Sequence, residues 1–474
     1  QFTIDQIAVE AQRPPISCDG AANGITTVGS FDYELFFNDP ANTGLNDAAY
    51  AAHRTVICQV FRDLSYLIQA SPTCTGNKPV LRIAINPSIF APAIPGQPQL
   101  LGTASAYFFN YTNTTQTQTG YAYGNVWRTI NGGEDNTQMP YLIGNNLIHG
   151  YFYLNLSVNW NTNLLGNFAN SPGNPDLYQA TLHEVCHMLG IHSWINTNGS
   201  SLVSNPTAAP NGLYTAFDRF LRTQNTPNAN LLTNINGCDN VQYTAATNLP
   251  TGGCDQVQFK GSQDPALLLP IYTPTDWASG SSMSHFGNTT DGCTTTPYLM
   301  HWKVMNGTNG FAIRRPTDVE LKVLCEIGYQ INNQYGPPNS PCYATVTGCG
   351  HRAAGVDDNR PHLNVNGMLQ CDLEPYWLCD FPATINFIDL LANDVGINSA
   401  ATIANACLEN IYGSNLSLTQ SGNTITINSA GPGLNIFSYT PIDAITGQAL
   451  NPTWVYFTAC LGSCSPQNTI PCNL

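Results

Sequence analysis

His183 and His187 stand four residues apart with Glu184 directly after the first, in a His-Glu-x-x-His stretch that runs on to Gly190. On a helix this spacing puts both imidazoles on one face, one turn apart, where they can share a tetrahedral metal with Glu184 beside them. The chemistry such a set performs is zinc-dependent hydrolysis. Catalytic zinc takes three protein ligands and leaves one position for water, so a third ligand is required. In the short-spaced form of this pattern it would be the third residue after Gly190, but that residue is Ser193. His192 comes one position early and, on a turn leaving the helix, would point elsewhere.

A helix must carry the two histidines. Asn174, Pro175 and Asp176 read as its start, with Asn174 as cap, Pro175 in the first helical position and Asp176 favoured by the helix dipole. Gly190 reads as its stop. Upstream, residues 150–160 alternate apolar Phe152, Leu154, Leu156, Val158 and Trp160 with more polar neighbours, the pattern of a strand with one buried face. Residues 46–70 carry an apolar stripe of Val56, Ile57, Val60, Phe61, Leu64, Leu67 and Ile68 and predict a helix. Residues 33–37 and 80–85 read as strands, and 104–109 as a further apolar run. Helices and a mixed set of strands leading into the metal helix make an α+β or α/β domain.

Composition sets the setting. A chain of 474 residues exceeds one core and predicts two or three domains. Only 9% of residues are charged, so Asn, Thr, Ser, Gln and Gly make the polar surface, and the net charge of −15 argues against nucleic acid or an anionic membrane as partner. No apolar run approaches a transmembrane segment. Sixteen scattered cysteines point to an oxidising compartment, hence a secreted, extracellular or cell-surface protein. Cys58 with Cys74, Cys238 with Cys254, and Cys371 with Cys379 are close enough in sequence to close local loops. Cys186 lies inside the metal helix, as a buried thiol or bridged to another helix, with Cys325 the candidate partner. The opening residues Gln1, Phe2 and Thr3 do not read as a secretion signal, so a processed terminus is expected. Asn-x-Ser/Thr sites include Asn155, Asn198 and Asn415.

Farther along lie Gly280, Ser281, Ser282, Met283, Ser284 and His285, then Tyr298, Leu299, Met300, His301 and Trp302. Together with the helix motif, these residues resemble the metzincin clan of zinc endopeptidases, in particular leishmanolysin-like enzymes and related bacterial secreted proteins. In that family a long insertion separates the helix glycine from the third histidine, and a methionine in a tight turn and a closing helix follow. The resemblance implies His285 as third metal ligand, Met300 as the turn methionine, and an edge strand that pairs with substrate, for which 150–160 is the candidate. Met305 is a second candidate for the turn, and His301 is unassigned. The closing helix is also legible by itself: Thr317 and Glu320 form a capping box, Leu321, Leu324 and Cys325 an apolar face, and Gly328 the stop. In the insertion, about 195–280, residues 214–221 suggest a short helix.

Residues 336–341 read as a linker rich in Pro and Gly. Beyond it, short strand candidates at 385–391, 416–418, 424–427, 434–439 and 454–458 suggest a β-sandwich. The run from Leu390 to Gly396 resembles cadherin-like or immunoglobulin-like surface repeats. The expected architecture is therefore an α+β zincin (metzincin-like) catalytic domain over 1–335, a linker over 336–352 and an all-β sandwich over 353–474. The expected function is a secreted zinc metalloendopeptidase with Glu184 as general base acting on a protein or peptide substrate. The alternative is a catalytically silent scaffold serving as a surface adhesin or structural protein, with a cell-surface or matrix partner for the C-terminal domain. Zn2+ is the implied cofactor. Ca2+ has only the adjacent pairs Glu134–Asp135 and Asp357–Asp358 as candidates, without a full loop of oxygen ligands.

Overall fold

The computed structural model describes residues 18–19, 24–37, 45–72, 77–88, 100–108, 120–133, 148–166, 168–171, 173–202, 212–223, 229–234, 241–243, 256–262, 264–274, 276–277, 280–287, 296–349, 361–363, 369–371, 377–378, 381–391, 394, 396–397, 408–442, 450 and 453–459. The chain is a mixed α+β structure with several small sheets. Its central sheet has four strands: β1 (Asp32–Phe37), β2 (Val80–Ser88), β3 (Gly102–Ala106) and β4 (Gly150–Asn155), in the spatial order β1-β2-β4-β3. The first three in that order run parallel, and β3 closes one edge antiparallel to β4.

Three helices pack against this sheet. Helix α1 (Ala51–Leu67) buries Val56, Ile57, Val60, Phe61, Leu64 and Leu67, the stripe its periodicity predicts. Each such side chain contributes about 1.5–3 kcal/mol by leaving water. Helix α2 (Asn125–Gly132) follows, and α3 (Leu177–Met188) carries the His-Glu-x-x-His residues, packing beneath β3 and against α1. Its start differs from the sequence reading. The cap is Asp176 rather than Asn174, because the Asp176 carboxylate accepts the Gln179 N–H at 2.8 Å and is held there by Arg314. Its end is the predicted one: Gly190 has φ 109°, with Gly190 N–H donating to His187 O and Ile191 N–H to Cys186 O. These two bonds satisfy carbonyls that the last helical turn leaves open. Helix α4 (Asp318–Glu326) begins with the predicted Thr317/Glu320 capping box and stops the same way at Gly328.

Two strand readings are corrected. The 150–160 strand ends at Asn155, whose side-chain oxygen accepts the Ser157 N–H and turns the chain. It is also an interior strand, so among the described residues the free edge beside the metal helix belongs to β3. Asn155 is fully buried with its amide on Leu100 O, which leaves no room for a glycan, whereas Asn198 and Asn415 are exposed. In the insertion, 214–221 divides into a strand at Leu213–Thr215 and a 3-10 turn at Asp218–Phe220.

The cysteines pair differently from the sequence expectation. Cys58 joins Cys18 rather than Cys74, and Cys325 joins Cys349, leaving Cys186 a free buried thiol. Cys238, Cys254 and Cys379, and the acidic pairs 134–135 and 357–358, lie outside the described residues, as does the side chain of Cys371. The stretch after Gly336, read as linker, is held against α1: Gly336 N–H donates to Asp63 O, and Gln59 to Ser340 Oγ.

Farther on, a sheet ordered Trp377–Leu378, Thr453–Ala459, Gly433–Tyr439, Glu409–Tyr412 and a second of Ala383–Asn386, Thr424–Ser429, Ser417–Ser421 share one apolar cluster that includes Ile385, Phe387, Ile425, Ile427, Phe437, Val455 and Phe457. Residues 387–390 are a helical turn capped by Asn386, where the sequence reading had strand.

Candidate metal centre

Three histidines from two distant segments meet above α3. His183 Nε2 lies 3.2 Å from His285 Nε2, and His187 Nε2 lies 3.3 Å from it. Among the described residues these three form the one group that could hold a metal ion. Each ring is oriented by a main-chain carbonyl at its other nitrogen: His183 Nδ1 by Leu299 O at 2.8 Å, His187 Nδ1 by Ile191 O at 2.7 Å, and His285 Nδ1 by Ser281 O at 2.8 Å.

Those carbonyls fix the tautomers. A carbonyl oxygen only accepts, so each Nδ1 carries the hydrogen and each Nε2 presents a lone pair. Three lone pairs directed at one another are mutually repulsive unless a cation lies between them. Protons do not supply it. Burial lowers the pKa of His183 to about 4 and that of His285 to about 3, and it takes His187 well below its usual value, with the neighbouring histidines adding to the effect. Two nitrogens bound at about 2.0–2.1 Å to a tetrahedral zinc are separated by about 3.3 Å, which the observed spacings match. The residues therefore fit a zinc ion.

Backbone links hold the segments in register. Phe286 N–H donates to Met300 O, joining the segment of the third histidine to the 298–301 turn, and Ser193 N–H donates to Ser284 Oγ, joining it to the turn that leaves α3. Met283 sits in the left-handed region at φ 69°, a conformation costing about 1–2 kcal/mol, offset by its complete burial. Met300 is fully buried in the turn that receives His183. Met305 is elsewhere, its carbonyl accepting from Gln179 and Asn170. His192 turns away, its Nδ1 on His187 O and its ring against Phe108. His301 is buried with Nδ1 at Lys303 and does not join the cluster.

Glu184 faces the sheet edge. Burial pushes its carboxyl up to about 8, opposed by a hydrogen bond from the Ala104 backbone. A dication among the histidines would pull it back down. Gly102 is the neighbour on the same strand: a Cβ there would lie 2.9 Å from the Phe152 ring and 3.4 Å from Glu184 Cγ. Inward bonds at Leu101 O and Tyr107 N leave alternate residues Gly102 and Ala104 with their backbone groups turned to the free edge. Sequence reading missed this strand; its signal is the run of small residues from Gly102 to Ala106.

No protein-family model, no curated protein and no solved structure matches this chain.

Proposed function

We propose that the chain is a secreted zinc metalloendopeptidase of metzincin type. The observation that carries this reading is the set of three facing Nε2 lone pairs, oriented by carbonyls, beside a carboxylate at a free strand edge. In it His183, His187 and His285 hold the metal and Met300 forms the turn beneath. Zinc supplies a Lewis acid that lowers the pKa of water and polarises a peptide carbonyl. Glu184 takes the proton of the attacking water and returns it to the leaving amine nitrogen. β3 holds the extended substrate by backbone pairing at Gly102 and at the Ala104 carbonyl, the Ala104 N–H being taken by Glu184. No covalent intermediate is needed.

The remaining assignments follow the same reading. Residues 1–335 form the catalytic domain with the insertion at about 195–280, 336–352 the linker, and 353–474 a β-sandwich of immunoglobulin or cadherin type, supported by the separate apolar cluster of its two sheets. Two disulfides support an extracellular or cell-surface location, and no helix among the described residues is long and apolar enough to cross a membrane.

The test is hydrolysis of an unfolded protein by the purified chain, with and without a zinc chelator, beside Glu184→Ala. Cleavage that disappears in both controls is the expected result. Folded, metal-loaded protein that cleaves nothing would replace this reading with that of a silent scaffold acting in adhesion through its C-terminal part.

A further inference from the structure

The three carbonyls that orient the histidines are not held alike. Ile191 O belongs to the glycine stop of α3, and Ser281 O to the turn around Met283. Leu299 O lies in a turn with no regular structure of its own, and a side chain from another element holds it. Glu320, 1% exposed on α4, accepts the Met300 N–H at 2.7 Å through Oε1 and a further backbone hydrogen bond from Leu299. Its Oε2 accepts the Thr317 N–H and hydroxyl at 2.8 Å each, as the capping box requires.

We infer that Glu320 is a positioning residue of the metal centre, its buried carboxylate fixing the 298–301 turn so that Leu299 O presents His183 Nε2 to the metal. The inference rests on the zinc reading of the histidine cluster. A helix cap needs only one carboxylate oxygen. The second is spent on amides 20 residues away, inside a buried site where a carboxylate is costly to keep and a neutral cap would serve the helix as well. An acceptor with two oxygens is what the arrangement demands. A glutamine would present an NH2 group to one set of donors and leave a buried N–H unpaired.

The two roles separate experimentally. Thr317→Ala weakens the cap and leaves the bond to Met300; Glu320→Gln disturbs both; Glu320→Asp keeps the charge at shorter reach. Each full-length variant is stripped of metal and titrated with Zn2+ and with Co2+, whose visible absorption reports ligand geometry, and its thermal midpoint is recorded in parallel. Outer-shell partners of metal-binding histidines are worth about 10–100-fold in affinity. Glu320→Gln is expected to lose about that much and to alter the Co2+ spectrum, Glu320→Asp to recover part of it, and Thr317→Ala to lower only the thermal midpoint. Wild-type affinity and spectrum in Glu320→Gln, or affinity losses that merely track the midpoint across all three variants, would overturn the inference. If Glu320→Gln does not fold, the pair Glu320→Asp and Thr317→Ala decides by the same criterion. Wild-type protein that binds neither metal would instead remove the zinc reading itself.

Discussion

Acid should release metal from this centre far later than from an ordinary histidine site. Metal and proton compete for the same Nε2 lone pair, so affinity falls with pH only where the apo ligands become protonated. Three histidines with the ordinary pKa of about 6.5 would each be protonated about 30-fold over at pH 5, and affinity would drop about 10^4-fold between neutrality and that pH. Here burial holds His183 at about 4 and His285 at about 3 and takes His187 well below its ordinary value, so at pH 5 few protons compete. Competition with a calibrated chelator at pH 7 and pH 5 should show a change of no more than about threefold from these groups. A loss of a thousandfold or more would refute the argument that burial keeps the three rings neutral against the opposing pull of their carbonyl acceptors. The apo protein gives the complementary sign. Folded pKa values below the unfolded 6.5 mean that the folded state binds fewer protons, so this stabilising contribution is complete above about pH 6.5 and is lost as pH falls through the folded values.

Other perturbations address other parts of the structure. Glu184→Ala should abolish peptide hydrolysis while Zn2+ still binds stoichiometrically, as judged by metal analysis of the purified variant; parallel loss of metal would make Glu184 a ligand instead of a base. Gly102→Ala places a methyl group against the Phe152 ring and Glu184 Cγ. The 2.9 Å approach to the Phe152 ring forces β3 to shift, and with it the Ala104 N–H that holds Glu184, which should lower kcat by about 10–100-fold with metal content unchanged; an unaltered kcat would show that β3 does not set the position of the base. Asp176→Ala removes the cap of α3 and leaves Arg314 without its carboxylate partner in a nearly buried site. The expected cost is about 3–5 kcal/mol by denaturant unfolding, and a loss under 1 kcal/mol would mean that water reaches Arg314 easily.

Much of the fold can be read from periodicity because burial enforces it. The stripe of α1 and the box and glycine of α4 involve residues within one helical turn, where spacing alone determines the neighbours. Reading fails where the partner is distant. Alternation marks 150–160 as a strand with one buried face, of which Gly150–Asn155 forms, but carries no information on which strands flank it, so its interior place is not legible. Residues 104–109 read only as an apolar run, and β3 is not legible as a strand because Gly102 and Thr103 lack the bulk that signals one; at Gly102 a side chain would meet the Phe152 ring. Disulfides fail for the same reason. Cys18 and Cys58 are 40 residues apart and meet only once β1 and α1 have packed.

The metal centre divides along the same line. His183 and His187 are a local pattern, whereas His285 lies nearly a hundred residues away and was reached only through the order of motifs in a resembling family. The groups that orient all three rings are backbone carbonyls, which every residue possesses and no sequence pattern marks. Glu320 stands between these cases. Its Oε2 serves Thr317, three residues away, and that half of its work is visible as a capping box; its Oε1 serves Met300, 20 residues away, and that half emerges only from the folded chain. One carboxylate thus caps the start of a helix and holds a turn. Because both sets of donors draw on the same group, a loss of the turn contact cannot be compensated by improving the cap, and the affinity of the metal should follow Oε1 alone.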